Sequence, residues 1–338
     1  MSGTFERGFS AEDHAVAEFA EGAVLVDLRT GAYFQLNRSA LAVFRAVQQT
    51  RDRSAAASRI SEALGLSIDD ALAAADDLVA GLSAAPPRHR QQERFEYAVG
   101  PTGYDLLYGD RAVLHLATDG KSVVLPTVVS DDAPSVGERL RAAAPKLLSL
   151  QGVRVLHAAA CEVGDGLLGF SGLSGAGKTT TARAFAALGP RLVSEDIVVI
   201  SPHRGDIVEA YLDAEPATRD WARRRGDAGA RAGAVIACAD LASIVANGPT
   251  RRLERVLFLD RTRRSGLTIR TRRLSAPEAL LALMTSNFLA SADAGAWRHY
   301  LAEWTPIAQA IEALEATVPP TLDLLGAAMR AYSDSAAS

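Results

Sequence analysis

The stretch Gly172-Leu-Ser-Gly-Ala-Gly-Lys178-Thr179 constrains this chain more than any other. It fits the spacing G-x-x-x-x-G-K-[ST], in which glycines let successive backbone N–H groups turn inward on an anion and a lysine follows. A Gly/Ser turn can match that spacing by chance, so the flanks decide. Before the loop, the apolar run Leu167 to Phe170 reads as a buried strand. After it, Thr180 to Leu188 reads as a helix that Gly189-Pro190 ends. Strand, loop and helix in that order put the loop at a helix N-terminus, whose partial positive charge adds to the nest. The candidate nucleotide-binding residues are Gly172, Leu173, Ser174, Gly175, Ala176, Gly177, Lys178, Thr179 and Thr180. In such a loop Lys178 reaches the β- and γ-phosphates and the Thr179 hydroxyl holds Mg²⁺, so ATP and Mg²⁺ are the expected cofactors.

Chemistry needs more than a phosphate cradle. Val153 to Val163 reads as a strand and Gly164-Asp165-Gly166 as a hairpin turn. The antiparallel return sets His157 across from about Gly172 to Ser174, at the mouth of the loop. A lone histidine in an apolar strand is usually a satisfied core residue. The hairpin register is what gives this one a functional reading. Beyond the loop helix, Arg191 to Ile200 carries Glu195 and Asp196 behind a short apolar strand. Ligands bind beyond the carboxyl ends of strands in parallel sheets, and adjacent carboxylates there can hold Mg²⁺ and accept a proton. A rival metal ligand is Asp260, which ends the apolar run Val256 to Leu259. It ranks second because the acid pair lies nearer in sequence.

Charge and composition remove several classes of function. The net charge is −4 and the sequence pI about 5.9, so no global basic field points to nucleic acid. The arginine-rich runs Arg219–Arg231 and Arg251–Arg273 read as solvated faces, one arginine of which could still reach a phosphate. No apolar run approaches a membrane span, and the N-terminus lacks the regions of a signal peptide. Cys161 and Cys238 form neither a disulfide framework nor a zinc pattern and read as buried thiols. A soluble, cytoplasmic protein is expected, with no nucleic acid or membrane partner and with homo-oligomer formation left open.

The chain divides on composition into residues 1–86, a lead-in over 87–150 and a catalytic region over 151–338. In the first part, Ala23 to Leu28 and Ala32 to Leu36 read as strands joined at Arg29-Thr-Gly31, and Asn37 caps a helix. Two more helices follow, over Arg53–Leu64 and Ser67–Leu82, a winged-helix-like pattern. Ser83 to Gln92 is a polar, proline-bearing linker. The lead-in is strand-rich and ends in a helix over Val136–Leu150; it carries no evident chemistry and either leads into the catalytic region or covers an edge of its sheet. Near the other end, Ser275 to Glu278 forms a capping box for a helix to about Leu289. A last helix is predicted from about Trp297 to Ala316, broken by Pro319-Pro320, with the tail from Ser333 disordered.

The segment Leu25-Val-Asp27-Leu-Arg-Thr-Gly31-Ala-Tyr33-Phe34-Gln-Leu36-Asn37 resembles the PqqD-like peptide-recognition domains of peptide natural-product pathways. In that family a leader peptide adds as a strand beside the hairpin and packs on the third helix. The resemblance implies a peptide partner with a leader segment and makes Tyr33, Phe34 and Leu36 candidate contacts.

His157, Gly172-x-Ser174-Gly-x-Gly-Lys178-Thr179 and Leu192-Val-Ser-Glu195-Asp196 together look like the catalytic domain of HPr kinase/phosphorylase and its relatives, over roughly residues 150–290. The order and spacing of histidine, lysine and acid pair match. The resemblance implies an α/β fold, a P-loop kinase domain preceded by a small winged-helix-like PqqD domain. It implies catalytic roles for Asp196 as the base, His157 as the residue that orients it, and Lys178, with Thr179 and Glu195 on the metal. Glu195 stands where the family has Asp. The family's Glu-Ile-Arg-Gly-like segment is not found, which puts HPr as the substrate in doubt; Glu209 or Glu215 could supply its carboxylate. The two resemblances together imply an ATP-dependent kinase acting on a hydroxyl, Ser first, of a ribosomally made peptide such as a lasso-type precursor. The alternatives are a kinase for a small molecule or protein serine, and a non-catalytic ATP-dependent peptide-binding module.

Overall fold

A computed structural model of the chain describes residues 13–50, 52–83, 95–100, 102–127, 133–173, 175–202, 207–228, 231–260, 268–287, 294–319, 325–329 and 331. The Pro-bearing linker beyond Ser83 and the tail from Ser333 lie outside the described residues. The described chain forms two compact units: one within residues 1–90, 275–281 and 291–309, the other within 91–274, 282–290 and 310–338.

In the first unit β1 (His14–Phe19), β2 (Gly22–Asp27) and β3 (Tyr33–Asn37) make an antiparallel sheet in that order. The β2–β3 turn is built by Asp27, whose carboxylate accepts the Arg29 N–H at 2.8 Å, and by Gly31 at φ 68. Three helices follow: α1 (Arg38–Thr50), α2 (Arg53–Leu64) and α3 (Ile68–Ser83). Each has the cap its sequence offers. Asn37 accepts from the Ala40 N–H, Asp52 from Ala55 and Ser67 from Asp70. Ala23, Leu25, Leu36, Phe44 and Leu82 close a core between sheet and helices.

The second unit contains two sheets. Its elements in chain order are β4 (Phe95–Gly100), β5 (Gly103–Tyr108), β6 (Arg111–Ala117), β7 (Ser122–Val124), α4 (Val136–Leu150), β8 (Arg154–Val163), β9 (Gly166–Ser171), α5 (Lys178–Ala186), β10 (Leu192–Ser194), β11 (Ile197–Ile200), β12 (Glu209–Tyr211), α6 (Ala214–Asp227), β13 (Val235–Ala237), α7 (Leu241–Ala246), β14 (Thr250–Leu259), β15 (Arg270–Arg273) and β16 (Glu312–Thr317). Between β15 and β16 come α8 (Ala276–Thr285), which the two units divide, and α9 (Ala294–Ala310), most of which belongs to the first unit.

The strands of the lead-in form a second sheet that β13, from later in the chain, completes in the order β13-β7-β6-β5-β4. Leu106, Leu114 and Leu116 from its strands share one buried cluster with Leu140 and Leu147 of α4 and Trp221 of α6. The larger sheet holds the site. β9 lies between β8, antiparallel to it, and β14, parallel to it; β16 runs parallel to β14 on the far side. Phe170 of β9 meets Phe185 of α5 edge-on at 5.9 Å, which fixes the helix that follows the loop against the strand that precedes it.

One element departs from expectation. Residues 312–317 form β16, not the end of a helix; α9 stops at Ala310. The segment Glu-Ala-Leu-Glu-Ala-Thr is made of good helix formers. Its Ala313, Leu314 and Ala316 are nonetheless buried beside β14, and the Asp260 N–H donates to Ala316 O at 2.9 Å. Tertiary burial overrides a propensity of a few tenths of a kcal/mol per residue.

Candidate active site

The phosphate loop leaves β9 at Ser171 and enters α5 at Lys178. Gly172, Gly175 and Gly177 take φ of 136, 74 and 94, a left-handed backbone that side-chain-bearing residues rarely adopt. Gly172 is also held by space: a Cβ there would stand 2.8 Å from Leu259 O and 3.3 Å from the Ala176 Cβ. Gly177 caps α5 without any side-chain cap bond, so the first-turn N–H groups face the loop. Leu173 and Thr180 are exposed and Ala176 is buried; Ser174 lies outside the described residues. This is the backbone an anion nest requires. Gly172→Ala is expected to weaken nucleotide binding by about tenfold or more, since strain of about 1–2 kcal/mol at positive φ adds to the close contact with β14. Calorimetry checks it, and unchanged affinity would rule out a bound triphosphate here.

Lys178 is nearly buried, and its Nζ donates to the carbonyls of Gly172 at 3.0 Å and Leu173 at 3.3 Å. The ammonium therefore lies over the loop it follows.

The hairpin register places His157 where expected. Ala158 pairs with Ser171, so His157 lies level with Gly172. The Ser171 hydroxyl donates to His157 O at 3.1 Å, and the His157 N–H donates to Ser286 O at 2.9 Å. On the other side of β8, His157 pairs with Ile197, the first residue of β11. The acid pair occupies a two-residue bend between β10 and β11, here called the acid turn, while both strands stay paired antiparallel with β8, in one register from Ser194 on; His157 Nε2 lies 3.2 Å from Asp196 Oδ1. The hydrogen bond from His157 is the main influence holding the Asp196 carboxyl below its usual range. Partial desolvation opposes it, and the charges of His157, Lys178 and Arg141 reinforce it. The pull from Lys178 ties the acid turn electrostatically to the loop.

Glu195 points elsewhere. Its two carboxylate oxygens accept from Arg183 Nε at 2.7 Å and Nη2 at 2.9 Å, and Arg219 stands 3.8 Å away. Its pKa is lowered, first by the Arg183 hydrogen bond. The Thr179 hydroxyl donates to the backbone oxygen of Glu195 at 3.0 Å. Thr179 and Glu195 are thus neighbours, on residues able to hold Mg²⁺, although an ion there would have to displace a guanidinium from Glu195. Among the described residues no group of three or more His, Cys, Asp or Glu is arranged to hold a metal. Asp260 directly follows β14, the immediate parallel neighbour of the loop strand.

Of the two glutamates that could replace the missing family carboxylate, Glu209 stands in β12 opposite Arg252, away from the acid turn. Glu215, in the first turn of α6, reaches that turn: its Oε2 accepts from the N–H of Glu195 at 2.6 Å and of Asp196 at 3.2 Å. Arg183 and Arg219 were not singled out individually by the sequence; an arginine on a helix surface looks alike whether it meets water or a carboxylate. Arg223 and Arg224, from the same run, pair with Asp220 and form the solvated face that was expected. Burial pushes both thiols, Cys161 and Cys238, up to about 12, which leaves them inert as nucleophiles.

In the first unit, β3 is the edge of its sheet among the described strands. Phe34 and Leu36 share one face and pack into the core, Leu36 being 5% exposed. Tyr33 lies on the other face, half-buried. Of the three residues, Phe34 and Leu36 thus hold the strand from beneath, and Tyr33 alone stands on the opposite face.

Residues 22–85 match the family model described as coenzyme PQQ synthesis protein D (PqqD). No curated protein matches the chain. Among solved structures, the chain is similar to one titled as the Hpr(Ser) kinase/phosphatase from Coxiella burnetii, with 11% identity and a TM-score of 0.24 over 55% of this chain and 99% of that one. The loop, the histidine and the acid turn stand independently of that similarity. No helix among the described residues is long and apolar enough to cross a membrane.

Proposed function

We propose that this chain is an ATP-dependent kinase that phosphorylates a hydroxyl, serine first, of a ribosomally made peptide carrying a leader segment. The observation that carries the reading is the His157–Asp196 contact of 3.2 Å, made beside a glycine-shaped loop whose lysine also acts on Asp196. A base, an orienting partner and an anion nest with a fixed cation are the parts that phosphoryl transfer to a hydroxyl needs.

The N–H groups of the loop and of the first turn of α5, with Lys178, would hold the triphosphate. Thr179 and Glu195 would hold Mg²⁺. ATP with Mg²⁺ supplies a γ-phosphoryl group whose charge is already partly neutralised. Asp196 accepts the proton of the acceptor hydroxyl, and His157 keeps its carboxylate aimed and ionised. Such a reaction belongs in the cytoplasm, where ATP and newly made peptides meet.

The match of residues 22–85 to the PqqD family supports a peptide as the acceptor, because a module for peptide recognition has no use to a small-molecule kinase. Assay of the intact chain with Mg-ATP and a precursor peptide tests this. A phosphopeptide supports the reading; a phosphorylated small molecule or free protein serine moves it to the first alternative; nucleotide-dependent peptide binding without any phosphoproduct moves it to a binding module. Removing residues 1–86 is expected to raise KM for the full-length peptide by tenfold or more while lowering basal ATP hydrolysis far less, since a docked leader acts through effective concentration, with gains on the order of 10²–10⁴. Equal handling of the peptide by both forms would reassign residues 1–86 to a structural role.

A further inference from the structure

We infer that Glu215 is a positioning residue that holds the acid turn, and through it Asp196, in place beside the phosphate loop. The inference rests on the kinase reading above and assigns a role that neither the loop motif nor the acid pair contains.

The turn between β10 and β11 consists of Glu195 and Asp196, two residues outside either strand. Their carbonyls have partners: Asp196 O accepts the Ala158 N–H at 3.1 Å and Glu195 O accepts the Thr179 hydroxyl at 3.0 Å. Ala158 of β8 stands opposite Asp196, yet both N–H groups of the turn donate instead to Glu215. A turn whose N–H groups lack partners is free to reorient, and unpaired buried donors are costly. Glu215 Oε2 accepts both, at 2.6 and 3.2 Å, and lies 2.8 Å from the Ser194 hydroxyl. One buried carboxylate oxygen thus gathers three consecutive residues. Its other oxygen pairs with Arg219, and Arg219 also faces Glu195.

Chemistry explains why a carboxylate is used. Charge-assisted bonds to N–H are shorter and about twice as strong as neutral ones. The side chain is 7% exposed, so water competes little. Both N–H groups are fixed by one atom, so the Asp196 side chain leaves the backbone in the direction that meets His157. Moving a base by about 1 Å can cost on the order of a hundredfold in rate.

Glu215→Gln separates the roles. The amide oxygen can still accept, but the amide N–H₂ then faces the Arg219 guanidinium, donor against donor. We expect kcat to fall about ten- to a hundredfold with nucleotide Kd within twofold of the parent. The double variant Glu215→Gln/Arg219→Gln removes the opposed donors and is expected to recover part of kcat. Hydrogen exchange on the unaltered protein gives a readout that needs neither turnover nor a folded variant: the Glu195 and Asp196 amides are expected to be protected. A kinase whose Glu215→Gln variant keeps kcat, or loses nucleotide affinity in parallel with kcat, overturns the inference, as do Glu195 and Asp196 amides that exchange as freely as exposed ones. If the parent protein transfers no phosphoryl group while those amides are protected, the kinase reading fails and the clamp on the turn stands.

Discussion

Asp196→Asn is expected to lower phosphoryl transfer by roughly two to four decades while nucleotide affinity stays close to that of the parent. Asparagine keeps the size and shape of the side chain and can still meet His157, but it cannot take a proton. The loop and Lys178 are untouched, so binding survives the loss of chemistry. The pH profile carries the same assignment. Asp196 is held below the ordinary carboxylate range, chiefly by the His157 hydrogen bond. A depressed pKa keeps the base ionised down to that pKa, so kcat/KM is expected to stay flat on the acid side and to fall only as pH drops through it. His157→Ala removes the largest cause, the Asp196 pKa rises, and the acid limb moves to higher pH. Asp260→Asn is the control. Asp260 directly follows a neighbouring strand and is expected to matter less if Thr179 and Glu195 carry the metal. Loss of turnover in Asp260→Asn with turnover kept in Asp196→Asn would reverse the two roles.

What could be read from the sequence follows from how local each interaction is. The loop needed only its glycines, its lysine and the apolar run before it. His157 was placed by arithmetic: a tight turn at Gly164-Asp165-Gly166 sets it across from about Gly172 to Ser174, and the pairing of Ala158 with Ser171 puts it level with Gly172, the near end of that range. The cap Asn37 acts within three residues and was equally visible. Elements decided by distant partners were not. β16 is a strand because β14 and β15 flank it, and nothing inside Glu312–Thr317 says so. β13 completes the smaller sheet by pairing with β7 across the whole of the larger sheet's first strands. Glu215 belongs to the same class. In sequence it is an ordinary first-turn acid, which the helix dipole alone would justify. Only the folded chain brings its oxygen to the N–H groups of Glu195 and Asp196. The acid turn was therefore found while the residue that shapes it was left as one of two choices.

The loop lysine accounts for the other large effect. Lys178→Ala is expected to reduce transfer by roughly two to three decades or more and to weaken nucleotide binding as well, which distinguishes it from the change at Asp196. Two losses combine. The ammonium donates to the carbonyls of Gly172 and Leu173 and so fastens the loop over the start of α5. It is also a cation fixed where negative charge gathers on the transferring group, in a place where the side chain is 7% exposed and solvent screens little. Lys178→Met keeps most of the aliphatic stem and its packing, so a Met variant as impaired as the Ala variant assigns the effect to charge and hydrogen bonding rather than to a cavity. The ammonium also lowers the Asp196 pKa. The residual activity of Lys178→Met should therefore show an acid limb shifted to higher pH, though less than in His157→Ala, because the hydrogen bond remains. Calorimetry with Mg-ATP and single-turnover transfer on the folded variants measure both losses. If Lys178→Met binds nucleotide and transfers at the parent rate, Lys178 neither holds nor neutralises the phosphates, and the role assigned to its ammonium is wrong.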